Sequence, residues 1–422
     1  MKSGVNQPGR AKSTVIHFAV SAILVFAPIA FAAEKLFDVS SVAPQQTPLS
    51  IPLGFRETPY SVIAVGLGHT EQSGRFFREP PGASSELRRG KLHFHAAQSS
   101  MAFLWDVERN HLVLDLNRNE DLTDDPGGTI GASAEPISSA SAFRHAVFPG
   151  VTLILPSESG EVRYLVDFNF SEYRNRLNVY AQVRSFIDGK ATLDGREWQL
   201  GVASDLGVAP SLPDHNYLIV RPWEQRDQPF EVRDGSLTAF PIPKELFIAR
   251  QLYEIQLNRV TNEALLSLTQ KAAELGEIQI TGTFLRRVLI SNSSRARSQV
   301  RTPALHARML LLEAPTGSVH VPVGVYNRLQ AQVGNGPFSA SARELTRQVH
   351  VSNDRPGALE VGGPLTNSVS FAQRGGTLVL NYRLIGAGSD PYSIATIDSQ
   401  HPPEFAIFHD DRKIASGKFE FG

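Results

Sequence analysis

At 422 residues, with 41% hydrophobic and 20% charged side chains, the chain has a globular composition and room for two or three domains of roughly 150 residues each. It contains no cysteine, which excludes disulfide staples, thiolate-bound zinc, iron–sulfur clusters, thiol catalysis and a lipidated N-terminal cysteine. Lys+Arg number 41 against 42 Asp+Glu, a balance that argues against nucleic acid as a partner.

Residues 1–32 carry Lys2, Arg10 and Lys12 and no acid. An apolar run from Val15 to Ala33 follows, closing on Ala30-Phe31-Ala32. A basic start, an apolar middle and a small-x-small end describe a signal peptide. The alternative is an uncleaved anchor, since about 19 apolar residues can just span a bilayer. Pro28, a helix breaker near the end of the run, favours cleavage. No later stretch reaches spanning length, so no transmembrane segment is expected after cleavage. A large exported chain without cysteine fits the periplasm, or secretion from a bacterium.

Past the leader the dominant pattern is alternation with period two, the mark of half-buried strands. Leu92 and Phe94 alternate with His93 and His95; Met101, Phe103 and Trp105 share a face, as do Leu112, Leu114 and Leu116. Short linkers make residues 91–116 a three-stranded meander. Val151–Leu155, Arg163–Phe168, Leu177–Val183, Tyr217–Val220 and Leu252–Leu257 also read as strands, and Asp188-Gly189 reads as the turn into Thr192–Leu200. Leu265, Leu268, Ala272 and Leu275 fit either a helix or a strand, with the strand preferred because strands surround them. From about residue 347, short strands separated by Gly-, Pro- and Asp-rich turns suggest a small sandwich of immunoglobulin-like type, with Asp410-Asp411 turning a terminal hairpin. The expected fold is mainly β, a set of antiparallel β-sandwiches: an N-terminal domain over 33–258, a module over 259–346 and an immunoglobulin-like C-terminal domain over 347–422.

The most specific chemistry lies in Asp115-Leu-Asn-Arg-Asn-Glu-Asp-Leu-Thr-Asp-Asp125. Asp115, Asn117, Asn119 and Asp121 place an oxygen at every second residue. A tight loop turns alternate side chains inward, and calcium takes six to eight oxygens. Arg118 and Glu120 would then point outward, Leu122 would tuck against the core, and Asp124 and Asp125 would add carboxylates. This stretch resembles the calcium loops of EF-hand and dockerin-like proteins over residues 115–125. The resemblance implies side-chain ligation by Asp115, Asn117 and Asn119, with Asp121 at the position that often ligates through its carbonyl. The loop departs from that pattern in two places. Glu120 stands where the family has glycine, and Pro126 stands where it has a bidentate glutamate, so Asp124 or Asp125 would have to replace that carboxylate. The expected cofactor is a structural calcium ion, held with the weak affinity of extracellular sites. The competing reading is a loop of Asx turns, in which short polar side chains bond their own backbone.

Weaker signals remain. His93 and His95 could share a metal with His111 nearby, although alternation alone places them on a solvent face. Arg295, Arg297 and Arg301 lie in an acid-free stretch between Glu277 and Glu313, suited to an envelope polyanion or to a solvated loop. Trp223 sits in a polar segment where an exposed indole can stack on a sugar, with Glu224 and Asp227 for its hydroxyls, or can fold back as an anchor. Val321-Pro-Val-Gly-Val-Tyr326 is similar to a strand motif of transthyretin-like domains, which implies a structural module with the tyrosine in the core. No nucleophile elbow, zinc-protease motif or phosphate loop is present. The expected function is a non-catalytic binding or adhesion scaffold of the bacterial envelope; the alternative is a glycan-binding or glycan-processing protein with a β-sandwich groove.

Overall fold

The computed structural model describes residues 16–19, 47–76, 78–82, 86–94, 99–133, 143–157, 160–206, 216–230, 232, 236–260, 263–292, 307–336, 338–345, 347–375, 377–394, 404–409 and 411–419. These residues form strands almost throughout, with a single turn of 3-10 helix at Trp223–Gln225. The fold is therefore mainly β, built of several largely antiparallel sheets packed face to face.

An eight-stranded sheet runs in the order Thr129–Gly131, His111–Leu114, Ser100–Asp106, Leu87–His93, Ile63–Glu71, Arg176–Val183, Gly160–Tyr173 and Phe143–Ser157, and every neighbouring pair is antiparallel. The expected meander forms the second to fourth of these strands. Alternation does the positioning: Leu177, Val179, Ala181 and Val183 turn inward while Asn178 and Tyr180 turn out to solvent.

A second, fifteen-stranded sheet begins at Ala239–Pro241 and passes through Asn216–Pro222, Arg196–Ser204, Ser185–Leu193 and Leu49–Glu57. It continues through Glu263–Lys271, Gln251–Val260, Glu245–Ile248, Arg308–Glu313 and Leu285–Ser291. Arg328–Asn335, Phe338–Leu345, Pro391–Ile394, Thr377–Ile385 and Thr366–Arg374 complete it. One pairing inside it, Glu245–Ile248 with Arg308–Glu313, is parallel.

The core clusters show how the sheets stack. Phe186, Ala203 and Ile219 face the eight-stranded sheet, whereas Ile187, Val202 and Leu218, one residue along each strand, face an inner core. That inner core also takes Leu246, Ile248, Leu289, Met309 and Leu311 from the far half of the same long sheet. The long sheet therefore folds back and packs against itself. The alternate residues Phe247, Val288, Ile290, Leu310 and Leu312 face a third core. Strands buried on both faces read as unbroken apolar runs, and Met309-Leu-Leu-Leu312 is one. Arg287 crosses the inner core: its Nη1 donates to the Val220 and Leu237 carbonyls at 3.0 and 2.9 Å, and its Nε pairs with Glu313 at 2.5 Å.

Glu263–Lys271 is a strand with alternating burial, so the segment that fitted either helix or strand is strand. The expected turn at Asp188-Gly189 is not one. Ser185–Leu193 is a single strand, and the chain reverses at Asp194-Gly195, where φ is 49° and 72°. Gly189 serves close approach instead, because a Cβ there would lie 2.3 Å from the Pro52 carbonyl oxygen. The boundary expected at 258/259 falls inside the hairpin formed by Gln251–Val260 and Glu263–Lys271. The terminal hairpin Glu404–His409/Arg412–Lys418 turns at Asp411, whose φ is 61°. Of residues 1–32, Ile16–Ala19 are described, as a strand antiparallel to Glu404–His409. Among the described residues no helix is long and apolar enough to cross a membrane.

Candidate metal loop and surface residues

Residues 115–128 form an excursion between two neighbouring strands. Leu114 N donates to Gly128 O at 2.8 Å, Asp115 N to Ala102 O at 3.0 Å, and Gly128 N to Asp125 O at 3.0 Å. Leu122 tucks under the sheet against Phe76, Ala102, Leu104 and Val113, which anchors the loop from below. Arg118 and Glu120 both adopt left-handed backbone, with φ of 65° and 63°. Glu120 thus holds the conformation glycine adopts most easily, at a cost of about 1 kcal/mol. The alternation turns both long side chains away from the loop interior: Arg118 Nη2 donates to Ile154 O at 2.6 Å, and Glu120 pairs with Lys91.

Asp115, 1% exposed, sits at the centre and accepts the N–H groups of Asn119 and Glu120, each at 3.0 Å. Asn117 Oδ1 accepts Asn119 N at 3.1 Å, and Asn119 Oδ1 accepts Asp121 N at 2.7 Å. Asp121 accepts Thr123 N and Oγ1 and pairs with Arg78 at 3.1 Å; the Thr123 hydroxyl, above all, holds its carboxyl below the usual range. Both asparagine amides donate to Asp124, at 3.0 and 2.8 Å. Asp125 closes the ring by accepting Asn117 N at 2.9 Å, while its Oδ2 is buried without a partner. Burial pushes the Asp125 carboxyl up, as do the neighbouring charges of Asp115 and Asp124. The loop therefore combines a network of Asx turns with an excess of negative charge around one unpaired, buried oxygen. Among the described residues no three His, Asp or Glu side chains converge as a metal-holding cluster, so any cation would draw on the asparagine oxygens as well.

The other candidates fare differently. Trp223 is half-buried, but Lys190 Nζ lies 5.3 Å and the Arg226 guanidinium 5.0 Å from its ring centroid. Glu224 pairs with Arg196 at 3.0 Å and Asp227 with Arg56 at 2.5 Å, so both acids already serve exposed ion pairs. Trp105 and Trp198 are 1% and 2% exposed. No tryptophan offers a bare platform. His93 pairs in register with Ser100 and His111 with Asp106, opposite ends of one strand and about 20 Å apart, so they cannot share a metal. His95, Arg295, Arg297 and Arg301 lie outside the described residues. Tyr326 fills the third core, its hydroxyl donating to Pro322 O at 2.8 Å.

Tyr180, 50% exposed, is the aromatic that tryptophan-centred reasoning missed. Its signal lay in the alternation, as the one ring at an outward position among Leu177, Val179, Ala181 and Val183. Comparison with family models, with curated proteins and with solved structures finds no match for the chain.

Proposed function

We propose that the chain is a non-catalytic binding scaffold of a bacterial envelope, exported by its N-terminal segment and stiffened by a calcium ion at residues 115–125. The observation that carries the metal reading is the unpaired buried Asp125 Oδ2, beside Asp115 and Asp124 in a loop whose Asn117 and Asn119 oxygens each accept a single backbone N–H. A divalent cation supplies the countercharge this ring lacks, and each oxygen that accepts one N–H keeps a second lone pair. The basic, apolar and small-residue order of residues 1–32 supports the exported location, and sequencing the secreted chain should find Ala33 at its N-terminus.

The metal test is a thermal melt in 10 mM calcium against chelator. A site in the extracellular affinity class gains about 1–3 kcal/mol at that concentration, so the melting temperature should rise. Asp125→Asn should abolish that response while leaving the calcium-free protein as stable or slightly more so, since the amide removes a charge that burial disfavours. A wild-type melt indifferent to calcium leaves the loop as a knot of Asx turns and overturns the metal reading.

A further inference from the structure

The outer face of the eight-stranded sheet presents a surface that the core does not need. Tyr180 stands in a row across four strands, paired with Gly66 on one side and Asn169 on the other, and Val147 follows Asn169. Gly66 has no side chain to prop the ring up. A Cβ there would touch Tyr180 Cε1 at 3.6 Å, so the ring leans over the glycine and stays half exposed. Asn178 and Gln182 flank Tyr180 on its own strand, and Asn169 and Ser171 lie on the next. Asn169 Nδ2 is a buried donor without an acceptor. Charge is confined to the margins: Asp167 is neutralised by Arg184 at 3.0 Å, and Arg176 lies at the far end of the strand. A second exposed ring, Tyr173, lies about 14 Å from Tyr180, counting four residues along and one strand across, but the Arg174 guanidinium lies 5.0 Å from its centroid, so Tyr180 is the open platform.

We propose that this face binds an uncharged glycan, with a sugar ring stacked on Tyr180 and its hydroxyls bonded by the flanking amides of Asn178 and Gln182. A pyranose has an apolar C–H face and an equator of hydroxyls that both donate and accept. A flat aromatic ringed by amide side chains, which also do both, is its chemical complement. A protein partner would want a contiguous apolar centre, whereas Tyr180 stands among Gly66, Asn169, Asn178 and Gln182, and the other exposed rings of this sheet, Phe143 and Tyr173, sit together at the strand ends. A polyanion would want a basic surface, and the centre of this face has none. The inference gives the scaffold reading its ligand class and rests on that reading, but it does not depend on calcium in the 115–125 loop.

The test is native affinity electrophoresis of the full mature chain in gels containing a mixed-linkage β-glucan, a xyloglucan or a galactomannan, with dextran sulfate as the anionic control. At least one neutral polymer should retard the wild type. Tyr180→Ser and, independently, Gly66→Gln should weaken that retardation about tenfold or more while keeping the wild-type melting temperature. Chelator should not change it. Retardation by no neutral polymer, by dextran sulfate alone, or equally in both variants overturns the proposal. So does a Tyr180-dependent dimer in sedimentation velocity, which would assign the face to a second copy. A melt that ignores calcium sinks the metal reading and leaves this one standing.

Discussion

Tyr392 shows what a single buried hydroxyl does for the C-terminal part of the molecule. It lies in the third core and accepts Gly362 N at 2.8 Å. Burial pushes its phenol up to about 12, with the Gly362 N–H acting against that shift. The folded value exceeds the ordinary one near 10, so the neutral phenol is the form that folding favours. Its contribution is complete below pH about 10 and is lost as pH rises towards about 12. Urea midpoints should therefore fall between pH 10 and pH 12, and Tyr392→Phe should flatten that part of the slope. At pH 7 the same variant leaves Gly362 N unpaired and should cost about 1–3 kcal/mol. Equal alkaline slopes in both proteins would refute the assignment.

Between strands, the two Asp-Gly pairs make the sharper comparison. Asp188-Gly189 and Asp194-Gly195 carry the same local turn signal, yet only the second turns the chain. The first lies where Leu49–Glu57 crosses, and Asp188 pairs with Arg56 of that strand at 3.1 Å. Gly195→Ala should cost about 1 kcal/mol, the price of a side chain in left-handed backbone. Gly189→Ala should cost about 3 kcal/mol, because its methyl group meets the Pro52 carbonyl oxygen. Chemical denaturation of the two variants would measure both, and the reverse order would contradict the close-approach reading. Period-two alternation made the meander legible, and an apolar side chain amid polar neighbours made the inward Leu122 legible, because each follows from its neighbours in sequence. Gly189 was not legible, since the strand it accommodates lies more than 130 residues away in sequence. In the loop, the oxygen spacing was visible, whereas left-handed backbone at an arginine and a glutamate runs against their preferences. Tyr180 became meaningful only once Gly66 was placed beside it.

Across the whole molecule, one strand layer is shared by two cores. Leu289, Met309 and Leu311 serve the inner core, while Val288, Ile290, Leu310 and Leu312 serve the third. A chain cut to residues 33–258 would lose Glu263–Lys271, the hydrogen-bonding partner of Leu49–Glu57, together with the far wall of the inner core. It should show no cooperative melt by circular dichroism, whereas the full chain should; a sharp transition in the fragment would mean that the first core closes without that wall. The pairing of Leu53 with Ala264 also has a temporal consequence. That contact spans more than two hundred residues, and non-local pairing of this kind slows folding because a long loop must close before any contact rewards it. A ribosome must finish well over half the polypeptide before its central layer can assemble, so the nascent chain stays open to chaperones for longer than a chain of local hairpins would.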